Sequence, residues 1–423
     1  MPHAQPHSYH EGEKTAMSIR ILVASFISRR SRVFALGALL VLAAALTHCS
    51  SNPAESVKRA GSGAVQASEV TIDPTVTETA LFIAGKDLTA QSGLYKFSKT
   101  AEYQAFKKQM DASWSRLQES NIRKIEAWRK KFLPGPYNST IYYPFAGPDV
   151  LNAIVFFPDG DDYIMFGLEA TGNIPQPQGV ATDKLLAGLN GLAAALNSIL
   201  NVNFFQTLHM QKEISTSAFT SIISVMMYFL ARSDYEILDV KKVYIDDLGQ
   251  VTTDVSKTPK AMIIPGAEML FRKGKDAPIK RVRYFEVDIE DSAIEKKPNF
   301  FAYLSRYARF TTIVKSASYL MHYDTHFNRI RDFTLAQSDQ ILQDDSGVAM
   351  RFFPQKEWKF SYHGVYNMPI PLFQNRFQPE LKRLFAEKST GLLPFSYGYN
   401  FGANEANLMF AERVEKKEAS GNK

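Results

Sequence analysis

The sequence predicts an α+β fold, with antiparallel sheet built from hairpins and several helices packed against it. Three observations carry that expectation. A long stretch repeats its apolar residues at helical spacing, so that Tyr103, Phe106, Met110, Trp114, Leu117, Ile125, Trp128 and Phe132 form one stripe. Several pairs of β-rich runs are separated only by short polar turns, which is the pattern of hairpins. Strands and helices do not alternate strictly along the chain, as they would in a fully parallel sheet.

Taken in order, the stripe from Tyr103 to Phe132 is a helix that Pro134-Gly135-Pro136 ends. Its other faces are basic, a solvated surface or one suited to anionic lipid headgroups. Ala153 to Phe157 and Tyr163 to Phe166 read as two strands joined by the turn Pro158 to Asp162. Leu185, Leu189, Leu192, Leu196 and Ile199 mark a helix on which Gly188 and Gly191 permit close packing. Ala218 to Ala231 is apolar nearly all round, and its length suits a buried core helix, not a membrane span. Val243 to Ile245 and Gln250 to Thr252 flank Asp246-Asp247-Leu248-Gly249 as one hairpin. Met262 to Phe271 and Ile279 to Ile289 make another around Arg272 to Asp276. Helical pattern returns from Ser316 to Asp345 and ends at Gly347, after which Val348 to Phe353 reads as a strand. No internal repeat is present at the periods of known solenoids.

Ahead of this body stands an export segment, residues 1–48, with Met17 as the expected true start because Met1 to Ala16 is polar and His-rich. Val33 to Leu46 carries no charge and follows Arg29, Arg30 and Arg32, and it is too short to span a membrane comfortably. Ser28-Arg29-Arg30-Ser31 also fits the opening of a twin-arginine signal, although Arg32 stands where an apolar aromatic belongs. Leu46-Thr47-His48-Cys49 resembles the lipobox of bacterial lipoproteins, a Leu three residues before a Cys. The resemblance implies that Cys49 is lipidated on its sulfur and becomes the mature N-terminus. It would place the protein outside the cytoplasm, lipid-anchored in the cell envelope, at the outer membrane or the periplasmic face in a Gram-negative cell. Residues 49–76 then form a tether of Ser, Ala and Gly without aromatics, 77–410 the globular body, and 411–423 a charged, frayed tail.

Composition narrows the function. At 45% hydrophobic and 22% charged, the 423 residues suit a folded protein and argue against wholesale disorder. The first 48 residues hold five basic and two acidic side chains, which leaves the rest with 44 basic against 41 acidic. So weak an excess gives no reason to expect a nucleic-acid partner. Cys49 is the one cysteine, so the exported body must be stable without disulfides.

Few strings look chemical. His322 and His326, four apart in an expected helix, share a face and could both reach one divalent metal; otherwise no cofactor is expected. Tyr323 stands where a metalloprotease has Glu, and Asp324 suits the cap of a second helix at Thr325. Asp344-Asp345-Ser346-Gly347 reads as turn chemistry, or as carboxylates for acid–base work with a partner from elsewhere. Asp159, Asp161 and Asp162 lack the alternation and closing Glu of a calcium loop. Gly-x-Ser-x-Gly, phosphate-loop and dinucleotide fingerprints are absent, which disfavours nucleotide-dependent chemistry and elbow-type hydrolysis. Aromatics crowd the last third, where Trp358, Tyr397 and Tyr399 could expose rings to a glycan or an envelope protein. The leading expectation is an envelope protein that acts by binding. An exported, metal-assisted hydrolase using His322, His326 and the acids near Asp344 is the rival, and a structural subunit of an envelope assembly the third.

Overall fold

Short aromatic and β-branched runs, buried on both faces, build the centre of the molecule. The computed structural model describes residues 72–133, 135–202, 219, 221–400 and 404–414. Among them one sheet contains β1 (Thr140–Tyr143), β2 (Asp162–Gly167), β3 (Glu236–Ile245), β4 (Val251–Thr252) and β5 (Ile264–Arg272). It continues with β6 (Lys280–Glu286), β7 (Phe310–Val314), β8 (Ser338–Gln343), β9 (Trp358–Gly364) and β10 (Asn407–Arg413). Their order is β4-β3-β5-β6-β2-β1-β7-β8-β10-β9. All the described residues except Ile370–Gln374 belong to one compact unit.

The fold is α+β, but the sheet is mixed where antiparallel pairing was expected. Five central strands, β6-β2-β1-β7-β8, run parallel. The hairpin strands take the edges, with β5, β3 and β4 on one side and β10 and β9 on the other. The reason is burial. Every position of β1 and β7 is buried, so these strands lack the in–out alternation of a half-solvated sheet and need cover on both faces. Side chains divide accordingly, Ile141 and Tyr143 joining one core and Tyr142 the other.

Helices supply the cover. From β1 the chain passes through helix Val150–Phe156 to β2 on one side; it later enters β7 on β1's other side and proceeds to β8. Crossovers of one hand that step in opposite directions place their helices on opposite faces. Helix Val150–Phe156 indeed packs with Arg123–Phe132 and Ile222–Arg232 on the first face, while Asn299–Leu304 and Asn328–Gln337 contribute to the second.

The long amphipathic helix forms as expected, capped by the Thr100 side chain, but its stripe skips from Leu117 to Ile125. There a π-helical turn, Gln118–Ile122, absorbs the phase error. It also turns Asn121 inward, where its amide clasps both backbone groups of Ser396, at 3.1 Å to the carbonyl and 2.9 Å to the N–H.

The helices at 185–199 and 218–231 appear as Thr182–Val202 and Ile222–Arg232, and both predicted hairpins are present as β3–β4 and β5–β6. Three expectations fail. Residues 153–156 are helical and Phe157 ends the helix, because the Asp149 carboxylate caps that turn through the Asn152 amide at 3.2 Å. The span 316–345 is a 3₁₀ turn, a helix and β8 instead of one helix, and 348–353 holds a 3₁₀ turn at Met350–Phe352 where a strand was expected. The body starts earlier than residue 77, with the Asp73 amide donating to Leu238 and its carboxylate capping helix Pro74–Ile83. It also ends later than 410, since Arg413 closes β10 over the Trp358 ring. Residues 1–71, with the export segment, Cys49 and most of the tether, lie outside the described residues, as do 415–423.

Candidate functional site

In open sheets with parallel strands, ligands bind beyond the carboxyl ends of the strands where the strand order reverses. Here that point lies between β1 and β7. Beyond it the chain delivers Asp149 after β1, Lys315 after β7, and Asp344 and Asp345 after β8.

Lys315 Nζ meets the Asp149 carboxylate at 3.1 Å, and both side chains are buried. The Tyr143 hydroxyl donates to the same carboxylate at 3.0 Å, and the Asn152 amide at 2.8 Å. Two opposite charges this deep are tolerable only with such partners. Glu169, after β2, is also buried and accepts from the Tyr284 hydroxyl at 3.2 Å.

The turn after β7 is strained. Ser316, Ser318 and Tyr319 have φ of 52°, 51° and 55°, a left-handed region that side chains other than glycine seldom enter. Hydrogen bonds hold it there. The Ser316 amide donates to Asp344 Oδ2 at 3.2 Å and the Ala317 amide to Ser346 Oγ at 2.8 Å, while the Tyr399 hydroxyl donates to the Ser316 carbonyl at 2.8 Å.

Asp344 Oδ1 accepts from the Ser346 amide at 3.1 Å and from the Ser346 hydroxyl. Asp345 Oδ1 accepts from Asn407 at 2.9 Å and Asn400 at 3.3 Å, and its Oδ2 accepts from the Tyr319 hydroxyl. Burial pushes the Asp344 carboxyl up, against the pull of Ser346, Ser316 and Lys315. Burial and the Asp344 charge push Asp345 up to about 7, with Tyr319 and Asn407 pulling the other way. The pair therefore holds a proton near neutral pH.

Three polar atoms at this edge are buried without a hydrogen-bond partner: the Ser316 hydroxyl, the Tyr397 hydroxyl and His322 Nε2. Tyr397 is fully buried and near enough to Asp344 and Asp149 for both to raise its pKa, after burial itself. Ser316, Ser318, Tyr399 and Asn400 are half-buried, so the edge reaches the surface along that line.

No known protein family, curated protein or solved structure matches the chain. Its function therefore rests on this geometry.

The structure separates the two candidate histidines. His322 ends a 3₁₀ turn beside the backbone of Asp345, and burial with the charges of Arg376 and Arg351 drives its pKa down to about 3. His326 is exposed, with φ 76°, and lines an open depression of about 580 Å³ with Glu290, Asp291 and Arg329. The chain between them is not helical, so the shared face expected from their spacing does not exist. Among the described residues, no three His, Cys, Asp or Glu side chains gather as a metal would require. Asp324 does not cap the next helix. Asp291 does, through the Asn328 and Arg329 amides at 3.1 and 3.0 Å.

The rings expected to be exposed are mostly covered. Trp358 and Tyr397 are buried, and Tyr399 is half-buried with its hydroxyl bonded. Asn121 and the close approach of Gly398 to Asp344 tie that loop down. Sequence reading missed Lys315, Tyr319 and Asn407. Asp149 alone left a signal, an acid directly before an apolar run.

A pH prediction follows from Asp345. Its folded pKa is raised, so the folded state holds the proton more tightly than the unfolded chain. The stability it contributes is full below about 4 and is lost as pH rises through about 7. His322 and His363, both depressed, act oppositely below their ordinary values. The stability of the wild type minus that of Asp345→Asn should therefore fall between about pH 4 and pH 7 and then level off. Urea titrations at several pH values measure it, and a flat difference would refute the assignment.

Proposed function

We propose that this chain is an exported, lipid-anchored protein of the bacterial cell envelope whose cysteine-free body binds a small polar molecule at the carboxyl ends of β1, β7 and β8. One observation carries the binding part: the Tyr397 hydroxyl is fully buried and unpartnered, on the loop whose next residue, Gly398, lies against Asp344. A buried hydroxyl without a partner costs about 1–3 kcal/mol, which a ligand or water bonded there recovers. Hydroxyl groups suit the site best, since they donate to carboxylates and accept from Tyr397. The lipobox-like Leu46 to Cys49 supports the location.

One experiment addresses both parts. The full chain should fractionate with membranes and Cys49→Ser with the soluble envelope fraction. The soluble form, challenged with a panel of sugars, amino sugars and small esters, should melt higher with a member of the panel. Tyr397→Phe should lose that shift. Unchanged fractionation removes the anchor, and a Tyr397→Phe protein that responds as the wild type removes the site.

A further inference from the structure

The strained turn after β7 is unexplained by packing alone. Three of its four residues, Ser316 to Tyr319, are left-handed without being glycine, and the Ser316 hydroxyl at its start is buried with no partner. Strain of this kind persists only where the surroundings enforce it, and it gathers where a side chain must be presented to a ligand. The turn follows a central parallel strand directly and leads into the 3₁₀ turn Leu320–His322. A sharp strand-to-helix turn lifts a serine oxygen clear of the sheet, and here it occurs without the Gly-x-Ser-x-Gly pattern.

The surroundings supply the remaining parts. Asp344 Oδ2 lies 3.2 Å from the Ser316 amide nitrogen, so rotation about the Cα–Cβ bond of Ser316 brings its hydroxyl toward the same carboxylate. That carboxylate is fully buried, which makes it a stronger base than one in water. Tyr397 offers an unused hydroxyl donor near Asp344. Asp149, Asp344, Asp345 and Glu169 outnumber Lys315 at this edge, so an anionic phosphoester is disfavoured and an uncharged carbonyl favoured.

We propose that Ser316 is a covalent nucleophile for neutral carboxylic esters, an assignment that rests on reading this edge as a ligand site. Ser316 Oγ attacks the carbonyl carbon, its proton passes to Asp344, and the Tyr397 hydroxyl donates to the oxyanion. The bond from carbon to the leaving oxygen breaks, and that oxygen takes the proton from Asp344 and departs as an alcohol. Water then attacks the acyl-serine in the same way, releasing the acid and restoring the Ser316 hydroxyl. The net change is ester plus water to acid plus alcohol.

A biotinylated fluorophosphonate, uncharged and serine-directed, tests this on the soluble full chain carrying Cys49→Ser. Peptide mass spectrometry should find the adduct on Ser316. Ser305→Ala, at an exposed serine away from the turn, should label as the parent does, and Ser316→Gly at least tenfold less. Glycine accepts φ 52° without strain, so Ser316→Gly should melt no lower than the parent, which separates lost chemistry from lost folding. Absence of an adduct, or an adduct on another serine, overturns the nucleophile. If Tyr397→Phe still abolishes a ligand-induced shift in that case, the binding site stands and only the covalent step falls.

Discussion

Replacing Asp149 with Ala is expected to destabilise the protein by about 3–5 kcal/mol, the usual cost of breaking a buried ion pair from one side. The Lys315 ammonium would face a site without its carboxylate, Tyr143 and Asn152 would lose their acceptor, and helix Val150–Phe156 its cap. Asp149→Asn keeps the shape and an oxygen acceptor while removing the charge, so the gap between the two variants measures the cap, about 0.5–2 kcal/mol, together with the side-chain hydrogen bonds that the remaining oxygen keeps. The double variant Asp149→Leu with Lys315→Met should recover most of the loss, because apolar groups of similar volume often replace a buried pair at little cost. Equilibrium unfolding in urea reads all three. A double variant as unstable as Asp149→Ala would show that the ion pair is not the origin.

Gly398→Ala is expected to cost about 2–5 kcal/mol, combining left-handed strain with overpacking. At φ +68° the new Cβ would stand 2.0 Å from Asp344 Oδ2 and 2.7 Å from its Cγ. The carboxylate cannot retreat, since Ser346 and the Ser316 amide hold it from the other side. Gly179→Ala is the control, with a φ of +76° and nothing within 4 Å of the added carbon. It carries the strain without the collision and should lose only about 1–3 kcal/mol. Equal losses at the two positions would mean that the loop over Asp344 yields freely. That loop would then not bear on the acid pair.

One edge of the fold, the β3–β4 and β5–β6 hairpins, was legible in the sequence; the β10–β9 edge and most of the centre were not. Asp246 to Gly249 is a turn that declares itself locally, since the Asp246 carboxylate collects the Leu248 and Gln250 amides within the loop. β1 and β7 offer no such sign. A strand buried on both faces shows no period of two, and a run of four or five residues is too short for its period to tell helix from strand. Residues 153–157 misled for a related reason: Ile154, Val155 and Phe156 favour strands by propensity, yet the Asp149 cap starts a helix, and with every residue of that helix buried no one-faced pattern marks it in the sequence. Ser316 to Asp345 looked continuous because nothing in Ser316, Ser318 or Tyr319 betrays a left-handed backbone, which sequence suggests only through glycine or asparagine. The acids at 344 and 345 were visible as a motif. Their meaning was not, because Tyr319 and Asn407, 26 and 62 residues from Asp345, supply the partners that set its proton.

The closure of Asp345 by Asn407 has a consequence for when the protein becomes competent. Asn407 opens the final strand, and Asn121 grips Ser396 across 275 residues. Contacts of such sequence separation form only after the intervening chain is available. A chain made from its N-terminus would thus present its β1 and β7 residues early, with no finished site among them until Asn407 is available. Completion of the fold then acts as a timer: whatever this edge binds can be held only once the chain through Asn407 is in place, and a chain cut before it stays inert.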